Sequence, residues 1–332
     1  MSRKPESGKP RNASPRDHYQ EVTDRIVAAL EAGTRPWQRP WNADKAAGPA
    51  MPFNGTTRRR YRGINLLLLG MSVLARGSGD PRWCTYRQAT ERGWQVRRGE
   101  RGTTVFFYKQ LQVEDRSAPA DAEDRTRRIP LLRAYTVFNG SQIDGITPFV
   151  APSLDEPPWQ RPDATDIILR NSGADIRIGG ERAFYSPGTD HIQLPPEAAF
   201  ASAQGWSATA LHELGHWTGS KKRLDRDLSG RFGSRDYSRE ELRAELASLY
   251  MGTALGLPTD IPNHASYLAS WITVLKEDRK EIFRAAADAQ RIADYCLAFH
   301  PDYARTQGDA AGGEAGEDDL PVNATSAQRE AA

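Results

Sequence analysis

Apolar positions three and four apart mark the first helix of the chain. Tyr19, Val22, Ile26, Ala29 and Leu30 fall on one side of a helix from about Arg16 to Ala32, and Gly33 stops it. The run Leu66-Leu67-Leu68-Leu69 predicts a core helix over about Asn65–Ala75, and a short helix follows at about Thr85–Glu91, closed by Gly93. The period then changes from helix to strand. Trp94–Tyr108 reads as two strands around a Gly-containing turn, and Leu131–Phe138 returns as a strand that Asn139-Gly140 turns out of. Residues 111–130 between them are charged, with Ser, Pro and Ala, and read as a mobile loop or an insertion in a hairpin.

Prolines crowd residues 148–162 and predict a linker. Beyond it the pattern predicts a helix near Ala164–Ser172 and short strands at about Asp175–Ile178, Ala183–Ser186 and His191–Leu194. A helix through His212 follows, with Ser207 as N-cap and Gly219 as a left-handed C′ residue. Ser238–Leu255 is the next helix, with Ser238 and Glu241 as its capping box. Asn263 caps another, whose apolar side is Tyr267, Leu268, Trp271, Ile272 and Leu275, and a long helix covers about Asp278–Phe299. Residues 1–15 are polar and residues 301–332 acidic and Ala/Gly-rich, so both ends are expected to be disordered. The fold class expected is α+β in two domains: an α+β unit over residues 16–147, and a mostly helical unit with a small sheet over residues 163–300.

One stretch carries explicit chemistry. His212-Glu213-Leu214-Gly215-His216 reads H-E-x-x-H. On a helix, residues four apart share a face, so both imidazoles reach one Zn²⁺ while Glu213 stands beside them as a general base. A hydrolytic zinc site wants a third protein ligand. Glu245 is the favoured one: Leu242 and Leu249 flank it, and a carboxylate bordering a buried face needs compensation. Glu241 is the alternative, its capping box giving it a structural task instead. His191 is an outside candidate. Mn²⁺ or Co²⁺ could occupy the same donors. The reaction expected is peptide hydrolysis, with Glu213 accepting a proton and returning it to the leaving amine. Tyr237 and Tyr250 are the candidates for stabilising the oxyanion.

Charge divides the chain. Its net charge is +2, but residues 1–150 hold 26 Lys/Arg against 15 Asp/Glu, and residues 151–332 hold 19 against 28. A basic half beside an acidic half suggests that one half meets a polyanion. Aromatic residues sharpen this. Arginines lie among Trp37, Trp41, Tyr61, Trp83 and Trp94, the composition of a surface that neutralises phosphates and stacks bases. No helix-turn-helix or zinc-finger spacing occurs, so single strands are favoured over duplex readout. Trp83 and Trp94 are assigned to the core. The DNA-binding candidates are Trp37, Arg39, Trp41, Arg58, Arg59, Arg60, Tyr61, Arg62, Arg97 and Arg98. No apolar run spans a membrane, Met1–Pro5 lacks the apolar region of a secretory signal, and the two cysteines form no C-x-x-C, so a reducing cytoplasm is expected.

These motifs occur together in a known order. Pro36-Trp37…Arg39-Pro40-Trp41, Tyr61-Arg62-Gly63-Ile64-Asn65, Trp83…Thr85-Tyr86…Gln88-Ala89, Gly93-Trp94…Val96-Arg97-Arg98-Gly99-Glu100 and Val137-Phe138-Asn139…Gln142 resemble the ArdC-type single-stranded-DNA-binding domain of plasmid antirestriction proteins, also found on TraC-type primases of conjugative plasmids. His212–Gly219, Arg223-Leu224, Glu240–Leu246 and Tyr267-Leu268…Trp271 resemble the zincin-type metallopeptidase domain that accompanies it, with SprT-like architecture. The resemblance spans about residues 17–299. It implies a protein carried into a new host during conjugation, protecting incoming DNA from restriction, with host restriction or DNA-processing proteins as candidate substrates. The competing reading is a non-catalytic protein with a structural metal, which protects by coating DNA or by imitating it with its acidic half. A host DNA-repair protease is a third.

Overall fold

The computed structural model describes residues 17–33, 51–114, 126–150, 162–257 and 265–304. The expectations for residues 1–15 and 305–332, for Trp37, Arg39 and Trp41, and for most of the proline-rich linker lie outside the described residues, whereas residues 301–304, expected in the disordered tail, are helical and are held by the Tyr303 hydroxyl, which donates to the Ala254 carbonyl.

The first unit is helices on a mixed sheet. Asp17 caps α1 (His18–Glu31), its carboxylate accepting from the Gln20 N–H at 3.1 Å, and the helix buries Val22, Ile26, Val27 and Leu30. After β1 (Phe53–Asn54) comes α2 (Ile64–Arg76), whose whole leucine run is buried. β2 (Arg82–Thr85) leads into α3 (Tyr86–Glu91) through a capping box of Thr85 and Gln88. β3 (Gln95–Val96), β4 (Thr103–Glu114), β5 (Thr126–Asn139) and β6 (Ile143–Asp144) complete the unit. The sheet order is β1-β2-β5-β4, with β3 and β6 as a separate ribbon. The strands flanking the Gly turn at 99–102 therefore do not pair with each other. β3 pairs with β6, and β4 runs antiparallel to β5 from Thr103↔Val137 to Glu114↔Thr126. Residues 111–114 and 126–130, expected in a mobile loop or an insertion in a hairpin, are the far part of this hairpin. Their ladder hydrogen bonds satisfy the backbone, which a charge-rich composition does not reveal.

The second unit begins with α4 (Pro162–Ser172). A small sheet of β7 (Asp175–Ile178), β8 (Phe184–Ser186) and β9 (His191–Leu194) follows in the order β7-β9-β8, so β8 is an edge. Four helices complete it: α5 (Ala203–Trp217), α6 (Arg235–Leu255), α7 (Ala265–Glu277) and α8 (Glu281–Leu297). The architecture is α+β with two domains.

Two helix starts lie earlier than expected, and both matter for the site. α5 is capped by Ser202, which accepts from the Gly205 N–H at 3.1 Å, so Ser207 is an interior, buried residue. α6 is capped by Ser234, which accepts from the Tyr237 N–H at 3.2 Å. Ser238 lies one turn inside and donates back to the Ser234 carbonyl at 3.0 Å. No capping box forms at Ser238, and Glu241 is released from the task expected of it. Gly219 is not left-handed. Its lack of a side chain serves close approach instead, because a Cβ there would stand 2.8 Å from Leu228 Cδ2 and 3.0 Å from the His216 carbonyl.

One apolar core runs through both units. α1 packs on α7 and α2 on α8, and Phe283 meets Tyr19 and Phe106 edge-on at 4.7 and 5.6 Å between centroids. Gly63 is the polar pivot of the joint. Its N–H donates to Gln290 Oε1 and its carbonyl accepts from the Tyr250 hydroxyl, both at 2.9 Å. Within the first unit Asn65 ties α2 to β4, its side-chain amide exchanging two 2.7 Å hydrogen bonds with the backbone of Phe106 as a neighbouring strand would.

Candidate metal centre and nucleic-acid face

α5 and α6 pack side by side, and the site lies between them. His212 and His216 project from one face of α5, four residues apart. Their Nε2 atoms face each other at 3.2 Å, with the rings at 84°. Glu241 reaches both from α6, at 3.4 Å to His216 Nε2 and 3.6 Å to His212 Nε2. One donor atom from each of the three residues falls within 4.8 Å of the others. This is a converging imidazole, imidazole and carboxylate set, the composition that suits Zn²⁺ and its neighbours among divalent ions.

The carboxylate that faces both Nε2 atoms is thus that of Glu241 and not, as expected, that of Glu245. Glu245 stands behind His212, with Oε2 4.0 Å from Nδ1, on the side of the ring away from His216. The physical reason is the early start of α6. With the helix capped at Ser234, Glu241 is in its second turn and faces α5 directly, while Glu245 is a turn further along.

The imidazoles are held from behind. Glu240 Oε1 stands 3.1 Å from His216 Nδ1. Arg226 fixes that carboxylate in turn, with Nε 3.1 Å from Oε2 and a terminal nitrogen 2.7 Å from Oε1, and also donates to the Gly215 carbonyl and Thr218 Oγ1 at 2.8 and 2.7 Å. Carboxylates at Nδ1 leave the Nε2 lone pairs for an ion. The field around the two rings is negative. Burial opposes charging of both histidines, yet the surrounding glutamates outweigh it and raise their pKa, His216 well above its ordinary value. Burial likewise opposes ionisation of Glu241, and the two imidazoles overcome it and hold it low.

Glu213 stands beside this set, outside the converging three. Burial pushes its pKa up, and its carboxylate accepts a hydrogen bond from the backbone N–H of Tyr185 on the edge strand β8. That strand is itself anchored. The Tyr185 hydroxyl donates to Asp190 at 2.8 Å, and Arg223 bonds Asp190, donates from Nε to the Trp217 carbonyl at 2.6 Å and lies 3.8 Å over the Trp217 ring. Arg223 therefore ties the β8–β9 hairpin to the end of α5. Tyr237 lies across the site, hydrogen-bonded to Glu241, and its hydroxyl is 2.9 Å from that of Tyr267. Burial and the Tyr267 contact raise the Tyr237 pKa, so it remains a donor. Tyr250 belongs to the joint at Gly63, which removes it as an oxyanion candidate. His191 makes a 2.6 Å contact with Thr189 and lies outside the cluster. Sequence reasoning missed Glu240, Arg226, Tyr185 and Tyr267. Only Glu240 and Tyr267 fell in the stretches that carry the family resemblance.

The DNA-binding candidates separate into two groups. Arg58, Arg59 and Arg60 are exposed on the turn after β1, and Arg97 and Arg98 on the turn after β3. Arg97 is paired with Glu100 at 3.0 Å and Asp144 at 3.4 Å. Tyr61 and Arg62 are elsewhere. Tyr61 is 6% exposed and packs near Phe107, so it is core and not a stacking platform. Arg62 pairs with Asp294 of α8 across the joint. Both neighbour Gly63, and the joint claims them. Trp83 is core, and Trp94 packs half-buried on a small second core of Cys84, Ala89, Val96 and Ile143.

Known proteins share both units. Residues 163–288 match the zincin-like metallopeptidase family, and residues 16–138 match the N-terminal domain of anti-restriction factor ArdC. A DNA primase TraC of Escherichia coli is 46% identical over 294 residues, which cover 85% of this chain and 27% of the primase, so the chain spans about a quarter of that relative's length. The metal-free crystal structure of the antirestriction ArdC protein from the R388 plasmid superposes with a TM-score of 0.72 at 42% identity, covering 86% of this chain and 98% of that one. Its Mn(II)-bound structure superposes with a TM-score of 0.69 at 40% identity, covering 86% and 99%. No helix among the described residues is long and apolar enough to cross a membrane.

Proposed function

Since the chain belongs to the ArdC-type antirestriction family, joining an ArdC N-terminal domain to a zincin-like metallopeptidase domain, we propose that it binds single-stranded DNA with its first unit and hydrolyses a peptide bond in a protein substrate with its second. The zincin-like domain implies a metal. His212 and His216, through Nε2, and Glu241 would hold it, and Zn²⁺ is the ion we assign, with Mn²⁺ or Co²⁺ accepted by the same donors. Bound there, the ion supplies Lewis acidity, polarising a carbonyl and acidifying water.

The chain's own groups do the rest. Glu213, buried and with a raised pKa, is suited to take a proton from water and return it to the leaving amine. Tyr237, paired with Tyr267, offers a hydroxyl donor beside Glu241 for charge developing on the substrate carbonyl. The observation that carries the reading is Glu213 held beside the converging three, since a purely structural metal site needs no buried proton acceptor. The basic turns Arg58–Arg60 and Arg97–Arg98 support the nucleic-acid role, placing exposed guanidinium groups on the first unit for phosphates. The work belongs in the cytoplasm, where incoming DNA and host restriction or DNA-processing proteins meet.

Glu213→Gln tests this reading. The purified variant should keep about one metal ion per chain by elemental mass spectrometry, while hydrolysis of a protein substrate in the presence of single-stranded DNA falls about 100-fold or more. Unreduced hydrolysis removes Glu213 from the proton path. Wild-type protein that cannot be loaded with Zn²⁺, Mn²⁺ or Co²⁺ retires hydrolysis altogether and leaves a DNA-binding protein on a peptidase scaffold.

A further inference from the structure

A cleft of about 470 Å³ opens on the first unit, away from the histidines. Its walls include Ser78, Asp80, Arg82, Ile143, Ile146 and Phe149. Arg82 is fixed in place: its Nε and a terminal nitrogen donate to the two oxygens of Asp80 at 2.9 and 2.6 Å, and both side chains are about nine-tenths buried, at 12% and 11% exposed. The guanidinium lies 5.6 Å from the centroid of the Phe149 ring. Gly140 makes room for this arrangement, because a Cβ there would fall 2.2 Å from Asp80 Oδ2.

The cleft lies between the two basic turns. On one side Arg82 pairs with Phe53 of β1, the strand that leads into Arg58–Arg60. On the other, Ile143 pairs with Val96, and the carbonyl of Ser141, another lining residue, accepts from Arg97. Charge is thus arranged in two zones. Inside, Asp80 neutralises Arg82, which leaves a planar guanidinium, an aromatic ring, two isoleucines and hydrogen-bonding edges. Outside, on both rims, stand exposed arginines. A phosphate fits the rims and not the interior. A flat heterocycle with polar edges fits the interior, by stacking and by in-plane hydrogen bonds.

The geometry points to this cleft as a nucleobase-binding site, which takes one unstacked base of a single strand while the flanking phosphates run over Arg58–Arg60 and Arg97–Arg98. The inference rests on the single-strand reading above and adds to it a place and a base-dependent contribution. Such a site also separates single strands from duplex, whose bases are stacked and paired.

The test uses the full chain and two fluorescein-labelled oligonucleotides of equal length, one mixed-sequence and one with abasic sites throughout, followed by fluorescence anisotropy. Wild type should bind the base-bearing strand about tenfold or more tightly than the abasic one. Phe149→Ala and, separately, Ile146→Glu should bring the base-bearing strand down towards the abasic level and leave abasic binding within about twofold. Both side chains sit at the cleft's partly exposed wall, and an unchanged thermal melting curve verifies the fold of each variant. If both variants keep the full difference between strands, the cleft is not the base site. If wild type binds both strands equally, contact is with the backbone alone and the cleft proposal falls while the single-strand reading stands. If wild type binds neither strand, the single-strand reading itself fails.

Discussion

The metal centre and the joint between the two units are both built from charged residues at packed helices, but they balance charge in opposite ways. At the joint the cations are held in pairs with anions: Arg62 with Asp294, Arg279 with Asp17 and Lys276 with Glu31, the last two at 2.8 and 2.6 Å. These pairs sit at the edge of an apolar seam and are half or more exposed on their basic side, so each contributes little and the seam carries the stability. At the metal centre, Glu213, Glu240, Glu241 and Glu245 are all buried around two imidazoles, and Arg226 compensates Glu240. Buried carboxylates left with an excess of negative charge are costly unless something positive joins them. At the joint each of these charges has a fixed partner, whereas at the metal centre the glutamates favour protonated imidazoles, a positive charge that a divalent ion would replace.

The largest effect that could break this contrast is at the third donor. Glu241→Gln should reduce metal affinity by more than the roughly 10- to 100-fold cost expected of Glu245→Gln, because Glu241 faces both Nε2 atoms and Glu245 only the back of His212. Competition with a calibrated chelator measures both. Equal losses, or a greater loss in Glu245→Gln, would return the third position to Glu245.

The second prediction concerns the seam. Tyr250→Phe removes the hydroxyl that donates to the Gly63 carbonyl and should lower stability by about 1–3 kcal/mol in urea unfolding. Because one core runs through both units, they should unfold in a single transition. Two transitions, with only one shifted by the substitution, would mean that the units are stable separately and the joint is incidental.

The two regions also differ in how far they can be read from sequence. The pair His212 and His216 depends only on the pitch of a helix, and Glu213 on being next to it, so four-residue spacing suffices. Glu241 depends on where another helix begins. Ser238 followed by Glu241 matches a capping box as well as Ser234 followed by Tyr237 marks the true start, and nothing local decides between two serines four residues apart. The stretch Arg58–Arg62 is harder still. Its arginines and tyrosine have the composition of a nucleic-acid surface, but Arg62 and Tyr61 are claimed by α8 and by Phe107, partners distant in sequence. The strands at 111–114 and 126–130 were hidden for a similar reason: pairing with each other, not apolar alternation, makes them strands.

The smallest effects separate the two kinds of arginine directly. Arg59 and Arg98 are exposed on the turns that flank the cleft, while Arg62 is paired across the joint. Arg59→Ala and Arg98→Ala should each reduce the slope of log affinity against log salt for single-stranded DNA by about 0.7, the loss of one phosphate contact, with unfolding unchanged. Arg62→Ala should leave that slope alone and lower stability by about 0.2–1 kcal/mol, the contribution of an exposed ion pair. A salt slope that falls in Arg62→Ala as it does in Arg59→Ala would put Arg62 on the DNA path despite Asp294. The nucleic-acid face would then extend onto the joint, and DNA binding could act on the contacts that hold α2 against α8, the helix that also packs on both helices of the metal centre.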